Sequence, residues 1–212
     1  MGMDYKVYPN VKLGKNVTIG EYVVLGVIPA KMKKPAETVI GDSAVIRSHT
    51  VIYAGNKIGK NFQTGHHTLI RENNVIGDNV SIGSSSDVAF NVIIGNNVRI
   101  HSNVFIPEYS TLEDGCWIGP NTVLTNALHP LCPEVKKCLK GPTIKSGAKV
   151  GANSTILPCV VVGENCLIGA ASVVTKDVPA GKVVAGNPAK VIKDVSDISC
   201  RFGRHAGPYK RK

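Results

Sequence analysis

The chain has 212 residues, 22 of them Gly against only 4 Phe and 1 Trp, with 43% hydrophobic residues and a net charge of +10. That length suits one domain with a real core and excludes a disordered tail or a disulfide-stapled miniprotein. The apolar content is Val, Ile and Leu, which favours many short strands over a few amphipathic helices, and six cysteines without a signal peptide read as reduced thiols.

The opening run Met1-Gly2-Met3-Asp4-Tyr5-Lys6 lacks a signal core and the Ser or Thr at position 6 that myristoylation wants. No apolar run reaches the roughly 18 residues of a membrane helix. The expectation is a cytoplasmic protein that does not insert into membranes.

From Leu13 onward an aliphatic residue recurs every six positions. Leu13, Ile19 and Leu25 open the series, an unbroken run goes from Ile40 to Leu124, and Ile144 to Val174 close it, giving 24 hexads in which only Thr64 is not aliphatic. Gly follows the aliphatic residue in 13 hexads, and small or β-branched residues such as Val80, Val98, Thr122, Ala148, Cys116 and Cys166 precede it by two. Three positions after it stands Asn or Gly in 13 hexads, residues that tolerate positive φ, so each hexad carries a corner. Three such hexads close one triangular turn with the aliphatic residues stacked inward. At a strand spacing of roughly 4.8 Å the prism is about 40 Å tall.

The period breaks twice, and insertions in a solenoid are where function concentrates. The step from Leu25 to Ile40 contains the basic loop 28–37, and the step from Leu124 to Ile144 contains the excursion 126–141 with Asn126-Ala127-Leu128-His129-Pro130. After Val174 the pattern relaxes, and from Asp194 the chain is polar, basic and aperiodic, which predicts a loose extension. In the last twelve residues Arg201, Arg204, Lys210, Arg211 and Lys212 stand without an acid, leaving a charge of only +5 on residues 1–200. The basicity is thus a tail plus a modest excess suited to an anionic cofactor, with no nucleic-acid partner expected.

This pattern resembles the hexapeptide-repeat family of left-handed parallel β-helices. The resemblance implies an all-β fold of about eight triangular coils, with 1–193 as the domain, loops at 28–37 and 126–141, and 194–212 as a short C-terminal extension. The stretch Ser172-Val173-Val174-Thr175-Lys176-Asp177-Val178-Pro179 followed by Ala185-Gly186-Asn187-Pro188-Ala189-Lys190-Val191-Ile192 is similar to the closing signature of family members that are acyltransferases using acetyl-CoA. In the galactoside and maltose acetyltransferase branch the corresponding positions contact CoA. Carried over, they are Thr175, Lys176, the Gly169 and Ala170 backbone, Lys190 and Lys193. CoA carries a pyrophosphate and a ribose phosphate, which want cations and free backbone N–H groups.

The same branch places its catalytic histidine in a His-Pro loop, which makes His129 the implied general base. A hydroxyl or amine attacking a thioester must lose a proton, and His is the side chain whose ordinary pKa lies near neutrality. Attack would be direct from a ternary complex, with the oxyanion met by the Ala152 N–H, again by resemblance. The segments around Arg47–Tyr53, Asn61–His67 and Phe105–Glu108, together with Gly119–Asn126, resemble the branch that N-acetylates nucleotide-linked amino sugars.

Solenoid spacing adds substrate-binding candidates. Glu108 lies eighteen residues before Asn126, so the two share a corner on adjacent coils, and Glu108 is placed to orient His129 or hold a substrate group. Gamma-class carbonic anhydrases share this β-helix and pair two His five apart. None of His49, His66, His67, His101, His129 and His205 stands in such a pair, and Cys132 and Cys138 with His129 lack a fourth ligand, so no metal is expected.

The reading is an acetyl-CoA-dependent acetyltransferase acting on a nucleotide-linked amino sugar of surface glycan biosynthesis. The family implies a homotrimer with active sites between subunits, His129 of one facing Lys176 of another. Alternatives are O-acetylation of a simple sugar or of serine and, from another class, a non-catalytic β-helix scaffold or a gamma-type carbonic anhydrase.

Overall fold

The computed structural model describes residues 4–204, 207 and 209. Met1, Gly2, Met3, His205 and the basic Lys210, Arg211 and Lys212 lie outside the described residues. Almost every hexad becomes a two-residue strand whose first side chain faces out and whose second faces in. Ile93 is 52% exposed while its neighbour Ile94 is 1% exposed.

Successive strands fall on three faces. The first stacks nine strands from Lys6–Val7 to Val173–Val174, the second eight from Val11–Leu13 to Val161–Val162, and the third ten from Thr18–Ile19 to Lys190–Asp194. Each pairs in parallel with the strand one coil on, Val75 with Ile93 and Ile76 with Ile94, for example. The exception is Lys190–Asp194, which runs antiparallel to Lys182–Ala185. This is the left-handed parallel β-helix that the family resemblance implies.

The interior is a column of stacked aliphatics, with Ile40, Ile52, Ile70, Leu112, Ile118, Ile144 and Ile156 fully buried. Stacking like on like fills the prism without aromatics, Phe62 excepted. Cys116 and Cys166 fill small positions of the same column. Burial pushes the Cys116 thiol up to about 12, so it stays an inert packing group. Thr64 is tolerated inside because its hydroxyl accepts from the Arg47 N–H at 3.0 Å and meets the Thr50 hydroxyl at 3.1 Å.

Positive φ reaches further than Asn and Gly. All but three of the 24 corner positions adopt it, Tyr22, His49, His67, Tyr109 and Cys159 included. The three exceptions are Ile28, Ala127 and Asp177, the residues at which the chain leaves the coil for loop 28–37, for loop 126–141 and for the C-terminal segment.

After the long excursion the coil is resumed by one contact group. Glu113 accepts from Lys145 Nζ at 2.7 Å and from both the N–H and the hydroxyl of Ser146 at 3.1 Å, tying the coil before the insertion to the coil after it. The Lys145 hydrogen bond holds the Glu113 carboxyl below its usual 4.5. A depressed carboxylate contributes stability that is present above its ordinary pKa and lost as pH falls through the depressed value. Glu113→Gln is therefore expected to lower the melting temperature at pH 7 by roughly 2–4 °C. That difference should close as pH drops below 4.5 in paired thermal melts.

The C-terminal segment leaves the six-residue period. Dropping two residues from the period after Val174 brings Val178 beside Val162 and sets Lys182–Ala185 as a further parallel rung on the third face. Asp194, expected to open the extension, pairs with Lys182 at 2.5 Å and ends the last strand. Beyond the turn Val195–Asp197, the Tyr209 ring returns to lie 4.6 Å from Lys149 Nζ on the third face. An amphipathic cation over an aromatic ring gives even this polar segment a place to pack.

Candidate active site

Two edges of the prism carry the residues with chemistry. The edge between the first and second faces bears Glu72, Phe90, Glu108, Asn126, Pro158 and Lys176 in one vertical column, because each follows a first-face strand by two residues. Asn126 Nδ2 donates to Glu108 Oε2 at 2.7 Å and to the Glu108 carbonyl at 3.3 Å, so the shared corner expected for this pair exists. Glu108 spends its carboxylate on Asn126, and no hydrogen bond joins it to His129 among the described residues.

Loop 126–141 rises from this column. The Lys140 N–H closes its base on the Asn126 carbonyl at 3.0 Å, and the Cys132 N–H binds the His129 carbonyl at 3.2 Å. These backbone bonds fix the turn and leave the exposed imidazole of His129 clear of them. Cys132 and Cys138 are free thiols on the same loop, and among the described residues no group of three or more His, Cys, Asp and Glu stands close enough to hold a metal ion.

Thr175 and Lys176 sit on the edge of loop 126–141, two rungs above Asn126, since Val123 pairs with Thr155 and Thr155 with Val173. Both are exposed. One chain thus places Thr175, Lys176 and the root of the His129 loop on one edge.

The other CoA candidates occupy the edge between the third and first faces. Ala152 and Ala170 stack on adjacent coils, the Ala171 N–H bonding the Ala152 carbonyl at 2.8 Å. The N–H groups of Ala152 and Ala170 themselves have no acceptor among the described residues. Gly151 and Gly169 precede them, and a Cβ at Gly151 would stand 2.5 Å from the Ala170 nitrogen, so only glycine leaves that N–H column uncovered. Lys190 and Lys193 continue upward on the antiparallel strand, exposed at the end of the third face. Unpaired donors with lysines above them fit a phosphate-bearing substrate.

Sequence reasoning missed a carboxyl at the foot of the His129 edge. Asp87 is on the first face beside Phe105, half-buried, and burial foremost, then Glu108, pushes its pKa above the usual carboxylate range, while Arg71 pulls it down. Arg71 is held by Glu72 at 2.9 and 3.1 Å and lies 4.9 Å from the Tyr53 ring. The available signal was an acid at an outward strand position in a column otherwise occupied by Leu69, Phe105 and Val123.

The chain folds as a β-helix built on a six-residue repeat. Residues 73–107 match the family model for the hexapeptide repeat of succinyl-transferase, and residues 141–176 match that for the bacterial transferase hexapeptide (six repeats). Galactoside O-acetyltransferase of Escherichia coli is 38% identical over 91 residues, covering 41% of this chain and 45% of the relative. The 2,3,4,5-tetrahydropyridine-2,6-dicarboxylate N-acetyltransferase of Staphylococcus aureus is 41% identical over 81 residues, covering 38% of this chain and 31% of the relative. The chain thus spans less than half the length of either curated relative. Among solved structures, a UDP-N-acetylglucosamine acyltransferase of Bacteroides fragilis superimposes with a TM-score of 0.59 at 20% identity, covering 91% of this chain and 73% of that one, a likeness of fold. No helix among the described residues is long and apolar enough to cross a membrane.

Proposed function

We propose that this chain is an acetyltransferase that moves the acetyl group of acetyl-CoA to the amine of a nucleotide-linked amino sugar, with His129 as general base. The observation that carries the reading is the position of His129, on a loop that grows from the edge bearing the Asn126–Glu108 pair and rising to Thr175 and Lys176. The names of the two curated relatives, one an O- and one an N-acetyltransferase, support acetyl transfer.

In this reading Lys190 and Lys193 supply positive charge to the phosphates of CoA, and the Gly169-Ala170 backbone offers an N–H to its pantetheine arm. The acceptor nitrogen attacks the thioester carbonyl carbon, His129 takes the proton that nitrogen loses, and the Ala152 N–H stabilises the oxyanion. The carbon–sulfur bond then breaks, and the thiolate leaves with a proton returned from His129. Glu108 and Asn126 hold the acceptor's polar groups.

His129 with Lys176, and Ala152 with Ala170, lie on different edges of one prism, so a complete site needs two copies of the chain. A homotrimer with one site at each boundary supplies that arrangement.

The test is release of free thiol from acetyl-CoA in the presence of a panel of nucleotide-linked amino sugars, simple sugars and serine. Release with an amino-sugar nucleotide is expected. Release with simple sugars or serine alone would move the reading to O-acetylation, which the name of the E. coli relative favours. No release and no CoA binding would leave a non-catalytic scaffold.

A further inference from the structure

The third face carries a cation-framed groove below the Ala152–Ala170 column. Its volume is about 380 Å³, and no acidic residue lines it. Its floor is small: Ser81 pairs in register with Gln63 on one side and Arg99 on the other, and Gly65 and Gly83 follow the inward residues of two of these strands. A Cβ at Gly65 would stand 2.2 Å from the Ser84 nitrogen and one at Gly83 2.4 Å from backbone of His101, so the floor admits nothing larger.

Cations close both ends. Arg47 stands at the lower end, its guanidinium steadied by the Thr64 carbonyl at 2.5 Å, and exposed Arg99 at the upper end, three rungs or roughly 14 Å away. Neither makes an ion pair with a carboxylate among the described residues, unlike Arg71, which is forked onto Glu72. His66 is fixed in the wall, its Nδ1 2.7 Å from the Ser48 hydroxyl and its backbone N–H donating to the Ser84 hydroxyl at 3.0 Å. His101, packed 4.6 Å from Trp117, keeps Nε2 buried with no hydrogen-bond partner. The buried ring nitrogen of His101 lacks a hydrogen-bond partner, and two arginines without carboxylate partners leave the groove with a net positive charge that suits a polyanion.

We propose that this groove binds a diphosphate ester, the forked guanidinia of Arg47 and Arg99 taking its oxygens over the Gly65–Ser81–Gly83 floor. Both a nucleotide-linked acceptor and CoA contain a diphosphate. The groove is assigned to the acceptor because the column above it, Ala152 and Ala170 with Lys190 and Lys193, already offers donors and cations to CoA. The two then follow one another up a single edge, with their reacting ends meeting between Ser102 and Ala152. The choice of acceptor over CoA rests on the acetyl-transfer reading; the binding of a diphosphate does not.

The test is calorimetric titration of the full chain with UDP, uridine and CoA separately, on wild type, Arg99→Gln and Arg47→Gln. UDP is expected to bind and uridine not, with each variant losing roughly tenfold or more in UDP affinity and keeping its CoA affinity within about twofold. Exposed Arg99 has no structural partner to lose, so its variant reads binding even if Arg47→Gln perturbs the fold. Equal UDP affinity in wild type and Arg99→Gln would overturn the proposal, as would no UDP binding at all. Loss of CoA affinity in place of UDP affinity would overturn the assignment to the acceptor. The two readings fail separately: UDP binding without thiol release removes the proposed reaction and keeps the groove, and amino-sugar acetylation without UDP binding does the reverse.

Discussion

His129→Ala is expected to lower kcat for acetyl transfer by roughly two to four orders of magnitude while leaving the KM for acetyl-CoA within about threefold. A base acts on the proton in flight and contributes little to ground-state binding, so the effect belongs in kcat. The loop itself should survive, because its closures run through backbone: Lys140 N–H to Asn126 carbonyl, and Cys132 N–H to His129 carbonyl, both retained with alanine. Glu108→Gln makes the contrast. It keeps an oxygen for Asn126 Nδ2 and, with no hydrogen bond to His129, should change acceptor KM more than kcat. Steady-state kinetics with varied acceptor and varied acetyl-CoA check both. A His129→Ala enzyme within a factor of three of wild-type kcat would remove the base from the mechanism.

The contrast between these two residues marks where the sequence was legible. The inward position of each strand is filled by one class of residue, the aliphatics, Thr64 apart, so Ile40 to Leu124 announce the coil without any structure. Corners announce themselves less well. His67 and Tyr109 adopt positive φ because stacked coils hold them there, the His67 N–H bonding the Ser48 carbonyl at 3.1 Å, so tertiary hydrogen bonds override local preference. The ends are the least legible. The strand Lys6–Val7 has an inward residue still 36% exposed, and Lys182–Ala185 falls out of step because the period loses two residues after Val174.

For the site, a motif exposed His129, and spacing alone exposed the Glu108–Asn126 pair. Asp87 and Arg99 escaped notice for a physical reason. A charge on the outward position of a strand has the same sequence appearance whether it faces water or a neighbour's charge. Only the stacking register sets Asp87 under Phe105 and within the fields of Arg71 and Glu108, and only the three-rung separation of Arg47 and Arg99 frames a groove.

Asn74→Ala is expected to cost about 2–5 kcal/mol of stability, a loss of the size usually produced by truncating a core leucine. Asn74 is fully buried at a small position of the coil. Its Oδ1 accepts the Val92 N–H at 2.7 Å and its Nδ2 donates to the Arg71 carbonyl at 2.8 Å, so alanine leaves a buried donor orphaned and an acceptor depleted. Asn56, one coil below, repeats the arrangement: its Oδ1 accepts the Asn74 N–H at 3.0 Å and its Nδ2 also reaches the Arg71 carbonyl at 2.8 Å. Because both amides share that carbonyl, the loss in the Asn56→Ala, Asn74→Ala double variant should differ from the sum of the single losses, whereas Asn74→Ala combined with a substitution at distant Ile168 should be additive. Urea unfolding of the three single and two double variants gives both numbers, with Ile76→Val, at about 0.5–1.5 kcal/mol, as the ruler for a packing change alone. A loss below that ruler would mean that water or a neighbouring rung satisfies Val92. A large loss ties stability to function, since the carbonyl the two amides hold belongs to Arg71, whose side chain pairs with Glu72 and lowers the pKa of Asp87 at the foot of the His129 edge.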